Sequence, residues 1–189
     1  MTNVPAINTF IGRDSDVNQL WNILQTQASN MRKVAVLHGM GGIGKTQLAI
    51  HFARQHKDEF TAIFWVNGKD ENILIRSLAA IAPRLRDRPI DVVTDMKNEE
   101  QLKQEAQEVL KWLSQEKNSN WLLIFDNIDQ YAPGDNDVHG EGAYDIQKYF
   151  PSADHGSIII TTRLKRLAEL ATSSYLLQRL PLKKDSNFL

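Results

Sequence analysis

One segment constrains this chain more than any other: Gly39-Met40-Gly41-Gly42-Ile43-Gly44-Lys45-Thr46, a full match to the pattern G-x-x-x-x-G-K-[ST]. Upstream lies a short apolar run, Val34-Ala35-Val36-Leu37, and downstream a stretch with helical character from Lys45 to about Lys57. A glycine-rich turn between a buried strand and a helix folds the backbone tightly enough for the N–H groups of Gly42, Gly44, Lys45 and Thr46 to face one anion. The helix N-terminus adds positive potential there. Lys45 would reach β- and γ-phosphates, and the Thr46 hydroxyl would ligate Mg²⁺. The segment therefore predicts a phosphate-binding loop in an α/β fold.

The flanking chain supports that fold. Val17, Leu20, Trp21 and Leu24 share one face of a helix that starts behind Asp14 or Ser15, and this helix is expected over a sheet edge. Ala62 to Val66, Trp121 to Phe125 and Ser157 to Thr162 read as further strands, and Tyr175 to Leu177 as a fifth. Between them, Asp70 caps a helix carrying Leu74, Leu78, Ile81, Ala82 and Leu85 on one face. After a polar connector from Asp87 to Lys97, Asn98 opens a long helix with Leu102, Val109, Leu110 and Leu113 inward, and Gln101 stands in capping-box position. Short helices are expected near Tyr144 to Tyr149 and from Leu164 to Leu170, the first after a loop rich in Gly and acidic residues from about Asp129 to Gly142. Strands without internal alternation, separated by helices, predict a parallel sheet covered on both faces, a three-layer α/β sandwich.

A phosphate loop needs a carboxylate at the end of a neighbouring apolar strand, and Trp121-Leu122-Leu123-Ile124-Phe125-Asp126 supplies one; Thr46 and Asp126 are the candidate metal ligands. Asp129 stands three residues on, placed either to orient a water or to cap the next turn. Asn127 follows Asp126 where many ATPases place a general base, and an amide cannot accept a proton, so hydrolysis is expected to be slow unless Asp129 substitutes. The strand Ser157 to Thr162 delivers two hydroxyls and Arg163 to its carboxyl end, the side on which open parallel sheets bind ligands. Arg163 is either a fixed cation for a γ-phosphate or the partner of Asp126 or Asp129. The candidate catalytic residues are Asp126, Asp129 and Arg163.

Other classes fall away. Lys and Arg number 22 against 23 Asp and Glu, a net charge of −1, which supplies no general field for nucleic acid or an anionic membrane. With no Cys, thiol nucleophiles and thiolate metal sites are excluded, which fits a reducing compartment and makes the cytoplasm the expected location. Apolar runs reach about five residues, far short of the roughly 18 a spanning helix needs. Met1 to Phe10 has no secretory leader pattern. The five His residues show no ligand spacing, and Asp135-Asn136-Asp137 with Glu141 lacks a Glu at position 146, where Ile146 stands, so neither reads as a metal site. The Asn-Lys-x-Asp loop that reads guanine is absent.

Phe10-Ile11-Gly12-Arg13, the segment His38 to Thr46, Phe64-Trp65-Val66-Asn67, Leu122 to Asp129, Gly156 to Arg163 and Tyr175 to Leu180 occur in the order of one family. The chain resembles the NB-ARC class of STAND nucleotide-binding proteins, and among them the NOD-like receptors of fungi. The resemblance implies a P-loop sheet of strand order 5-1-4-3-2. It implies an ATP or ADP site with Mg²⁺, in which Phe10, Ile11, Gly12 and Arg13 line the adenine and Gly41, Gly42, Ile43, Gly44, Lys45, Thr46 and Gln47 hold the phosphates. Residues 1–13 then form an N-terminal segment, 14–182 the nucleotide-binding domain, and 183–189 a tail toward helical, winged-helix and sensor domains of the same receptor. In relatives those domains supply further nucleotide contacts and the assembly surfaces, so a homo-oligomer is expected only of a full-length activated receptor. The implied role is a regulatory switch in innate immunity or programmed cell death with weak ATPase activity at most; the alternative is a turnover ATPase or small-molecule kinase.

Overall fold

The computed structural model describes residues 4 and 5, 12–25, 31–85, 98–134 and 142–177. Phe10 and Ile11, the connector 87–97, the Asp135 to Glu141 part of the acidic loop and residues 178–189 lie outside the described residues. Five strands form one sheet: β1 (Lys33–His38), β2 (Ala62–Asn67), β3 (Trp121–Asp126), β4 (Ser157–Thr162) and β5 (Ser173–Leu176). The order is β2-β3-β4-β1-β5, which is the expected 5-1-4-3-2, and every pairing is parallel.

The apolar runs lack alternation because both faces of the sheet are covered. Ala35, Leu37, Ile63, Trp65, Leu122, Ile124 and Ile159 pack with α1 (Asp14–Gln25) and α2 (Lys45–Gln55). Their neighbours Val34, Val36, Phe64, Val66, Leu123, Phe125, Ile158 and Ile160 pack with α3 (Glu71–Ala79), α4 (Ala82–Leu85) and α5 (Glu99–Leu113). Each fully buried Leu or Ile adds roughly 1.5–3 kcal/mol. α1 rests on α2 and β1, one strand in from the β5 edge.

The caps are where the residue types put them. The Asp70 carboxylate accepts from Ile73 N at 2.8 Å, and Asn98 with Gln101 forms a reciprocal capping box at the start of α5. One expected helix is broken in two. Pro83 lacks the N–H that a continuous helix would donate to Ala79, and the chain passes through a tighter turn in which Ile81 N bonds Leu78 O at 2.9 Å before α4 begins. The two late helices are 3₁₀ turns, Ile146–Tyr149 and Lys165–Leu170, and β5 starts two residues before the expected Tyr175.

Register decides what meets at the carboxyl edge. Asn67 pairs with Asp126, Phe125 with Ile160, and His38 with Thr162. The loop after β1, the end of β3 and the end of β4 therefore stand level.

Candidate functional site

The loop between β1 and α2 turns on residues that tolerate a left-handed backbone. Gly42 has φ +74°, and Gly44, the N-cap of α2, has φ +97°. No side chain caps α2. Its first-turn amides are thus left to the space in front of the loop. Lys45 is 9% exposed, and its Nζ donates to Gly39 O at 2.9 Å and Met40 O at 2.8 Å. Burial pushes the Lys45 ammonium's pKa down; Asp129 and Asp126 work against that shift and Arg163 works with it.

β3 and β4 supply the facing wall. Thr46 Oγ1 donates to Asp126 Oδ1 at 2.8 Å, and Thr161 Oγ1 donates to the same oxygen at 2.6 Å. Asn127 takes a left-handed backbone, φ +67°, which Asn tolerates better than most residues, and its N–H donates to Thr161 Oγ1 at 2.9 Å. Thr161 thus holds both the carboxylate and the turn behind it. Thr162 ties β4 to the same turn by donating to Ile128 O at 2.5 Å. Asp129 accepts twice from one residue: Arg163 N reaches Oδ1 at 2.7 Å and Arg163 Nε reaches Oδ2 at 2.8 Å. Arg163, 64% exposed, lies across the P-loop, its Cζ 3.7 Å from where a Cβ on Gly41 would stand.

These groups surround one cleft of about 280 Å³. Of the residues singled out from the sequence, Gly41, Gly42, Gly44, Lys45, Thr46 and Gln47 line it on the loop side, and Asp129 and Arg163 on the other. Asp126 joins through its bond to Thr46. Ile43 is not a lining residue; its carbonyl accepts from Arg13 Nη2 at 2.7 Å. Arg13 is buried, is not a lining residue either, and pairs with Asp16 at 3.0 Å, while Tyr175 Oη donates to the other Asp16 oxygen. Gly12 is exposed with φ +79°. Thr161, Thr162 and Asn127 line the cleft without having been assigned a site role; the signal was two hydroxyls ending an otherwise apolar strand.

The donor set fits a phosphate chain with a divalent cation. Backbone amides, a buried ammonium and a guanidinium face the cleft, and a hydroxyl sits within hydrogen-bond distance of a strand-end carboxylate. Among the described residues no three His, Cys, Asp or Glu gather as a metal site. Thr46 and Asp126 are the residues that would hold a cation here.

A family model described as the NB-ARC domain matches residues 13–189. The chain is 27% identical over 175 residues to a nucleotide-binding leucine-rich repeat (NLR)-like protein of Hyaloscypha variabilis, an alignment covering 87% of this chain and 17% of that protein. It is 38% identical over 58 residues to the regulatory protein AfsR of Streptomyces griseus, covering 30% of this chain and 6% of the other. Both relatives are several times longer than the segment they share with it. Among solved structures, the Aeropyrum pernix ORC2 protein in ADPNP–ADP complexes matches with TM-score 0.48 and 15% identity, over 93% of this chain and 50% of that one.

Proposed function

We propose that this chain, which belongs to the NB-ARC domain family, binds ADP and ATP with Mg²⁺ and serves as the regulatory switch module of a larger signalling receptor. The observation that carries this reading is the convergence on one cleft of Lys45, the Thr46–Asp126 pair and Arg163, drawn from three separate strand ends. The loop amides and Lys45 hold the phosphates, and Arg163 meets the terminal one. A bound Mg²⁺ would supply positive charge against that of the phosphates. Thr46 and Asp126 would hold it, Asp126 being aimed by Thr161. Phe10, Ile11, Gly12 and Arg13 are assigned to adenine selection, and the NLR-like relative supports a receptor context. The wider role in this proposal is the one the family resemblance implies: a cytoplasmic receptor in innate immunity or programmed cell death, with helical, winged-helix and sensor domains as partners in the same protein.

Hydrolysis is slow in this reading. Asn127 follows Asp126, and a carboxamide accepts no proton at neutral pH. A switch that responds to which nucleotide is bound needs contacts that differ between ADP and ATP, and a fixed cation over the terminal phosphate is such a contact. That favours a switch over a turnover ATPase or a kinase.

Calorimetry and thermal melting test the reading. Mg²⁺-ADP or Mg²⁺-ATP at a hundred times its Kd is expected to stabilise the fold by about 2.7 kcal/mol. Lys45→Ala is expected to abolish most of that gain, and GTP to bind far more weakly than ATP. Equal stabilisation of wild type and Lys45→Ala, or equal affinity for GTP, overturns the assignment.

A further inference from the structure

We propose that Asp129 is a positioning residue that presents the Arg163 guanidinium to a nucleotide's terminal phosphate, so that the pair sets the preference for triphosphate over diphosphate. The inference rests on the nucleotide reading above. It starts from an asymmetry in the contact. The carboxylate bonds the backbone N–H of Arg163 through Oδ1 at 2.7 Å and Nε of the same residue through Oδ2 at 2.8 Å. One side chain thus spans Arg163 from its main chain to its guanidinium, and that closed ring restricts the torsions between them.

The grip takes Nε and leaves the far end of the guanidinium. Nε and Cζ each stand 3.7 Å from the Cβ position of Gly41 and Nη1 3.8 Å, so the guanidinium lies along the P-loop, and the Asp129 contact at Nε leaves its two N–H₂ groups uncommitted to that carboxylate. Guanidinium groups hold phosphate through paired parallel N–H donors, and Nη1 with Nη2 offers such a pair. Arg163 is 64% exposed. An ion pair with a partner this open adds little to stability, because solvent screens it and long side chains lose entropy in forming it. Orientation is the larger effect. An exposed arginine has rotamer freedom whose loss on binding costs roughly a factor of ten in affinity, and a guanidinium already held in place avoids that cost. Pairing also offsets the charge of a carboxylate that would otherwise stand near an anionic ligand.

ADP lacks the phosphate that Arg163 addresses, so Asp129 acts selectively. Asp129→Asn keeps an oxygen for the Arg163 N–H but turns an N–H₂ toward Nε–H, donor against donor. Calorimetry with Mg²⁺-ADP and a non-hydrolysable Mg²⁺-ATP analogue is run on wild type, Asp129→Asn, Arg163→Ala and the double variant. The expected result is that Asp129→Asn lowers affinity for the ATP analogue about tenfold more than for ADP, and that it adds nothing to the selectivity loss of Arg163→Ala. Equal weakening of both nucleotides would reduce Asp129 to a structural role and overturn the proposal. A further loss of selectivity in the Arg163→Ala background overturns it, as does loss of turnover with selectivity intact, the mark of a base. NMR on the wild-type chain supplies a test that needs no folded Asp129 variant. The Arg163 Nε–H resonance, assigned by its loss in Arg163→Ala, is expected to exchange more slowly than that of an exposed arginine; exchange at the free rate overturns the latch. If wild type binds neither nucleotide, the broader reading fails and the selectivity claim with it, while the NMR signal still reports the contact.

Discussion

Thr161 carries more of the site than its residue type suggests. It is 1% exposed, and its hydroxyl accepts from Asn127 N and donates to Asp126 Oδ1, so one oxygen sets both the strand-end carboxylate and the left-handed turn that follows it. Thr161→Val keeps the shape and deletes both bonds. Leaving the Asn127 N–H without that acceptor is expected to cost about 1–3 kcal/mol of stability. The nucleotide affinity that depends on Mg²⁺ is expected to fall further than the affinity measured in chelator. Melting curves and calorimetry with and without Mg²⁺ check both parts; a variant with unaltered Mg²⁺ dependence would mean that Asp126 is aimed by Thr46 alone. Local sequence made Lys45 and Thr46 legible, because the P-loop is contiguous. Thr161 was not legible as a partner of Asp126, since the two stand 35 residues apart and meet only through the β3 and β4 register.

At the level of elements, α1 and α2 meet through rings. Trp21 and His56, the residue that caps α2, stack with centroids 4.1 Å apart and planes 7° from parallel. His56 Nε2 is buried with no hydrogen-bond partner among the described residues, and burial pulls the imidazole's pKa below 6.5, with Glu59 acting the other way. The sign of the consequence follows from the protons. Below about pH 6.5 the unfolded chain takes up a proton that the folded stack resists, so this contribution is complete above that pH and is lost as pH falls toward the lower folded value. His38 is shifted the same way, chiefly by burial and then by Lys165 and Lys45. His56→Phe, which preserves the stack, is therefore expected to flatten part of the stability loss between about pH 7 and 5, measured as denaturant midpoints. An unchanged slope would show that His56 takes up its proton as readily folded as unfolded. The helical face of α1 was plain in the spacing of Val17, Leu20 and Leu24; its partner was not, because a hydrophobic period says which face is buried and never against what.

Across the whole molecule, β4 is the centre of the sheet, and Ile159 on it is fully buried in the layer beneath α1 and α2. Ile159→Ala is expected to cost about 2–5 kcal/mol. Leu176→Ala, on the edge strand and 53% exposed, is expected to change stability by about 0.5 kcal/mol or less. Urea unfolding of both variants tests whether stability is concentrated where the strand order places it. The sequence by itself determined the α/β class, the strand and helix order, the phosphate loop and the strand-end Asp126, because each is written in a contiguous pattern: apolar runs too short for helices, caps at Asp70 and Asn98, and glycines where the backbone must turn left-handed. Even the break at Pro83 is local chemistry. Only the tertiary structure decided that Arg13 braces the Ile43 carbonyl, that Thr161 aims Asp126, and that Asp129 grips Arg163 across 34 residues of chain. Those contacts depend on which strands are neighbours and in what register, and register is set by the summed packing of both faces of the sheet, a property that no single segment carries.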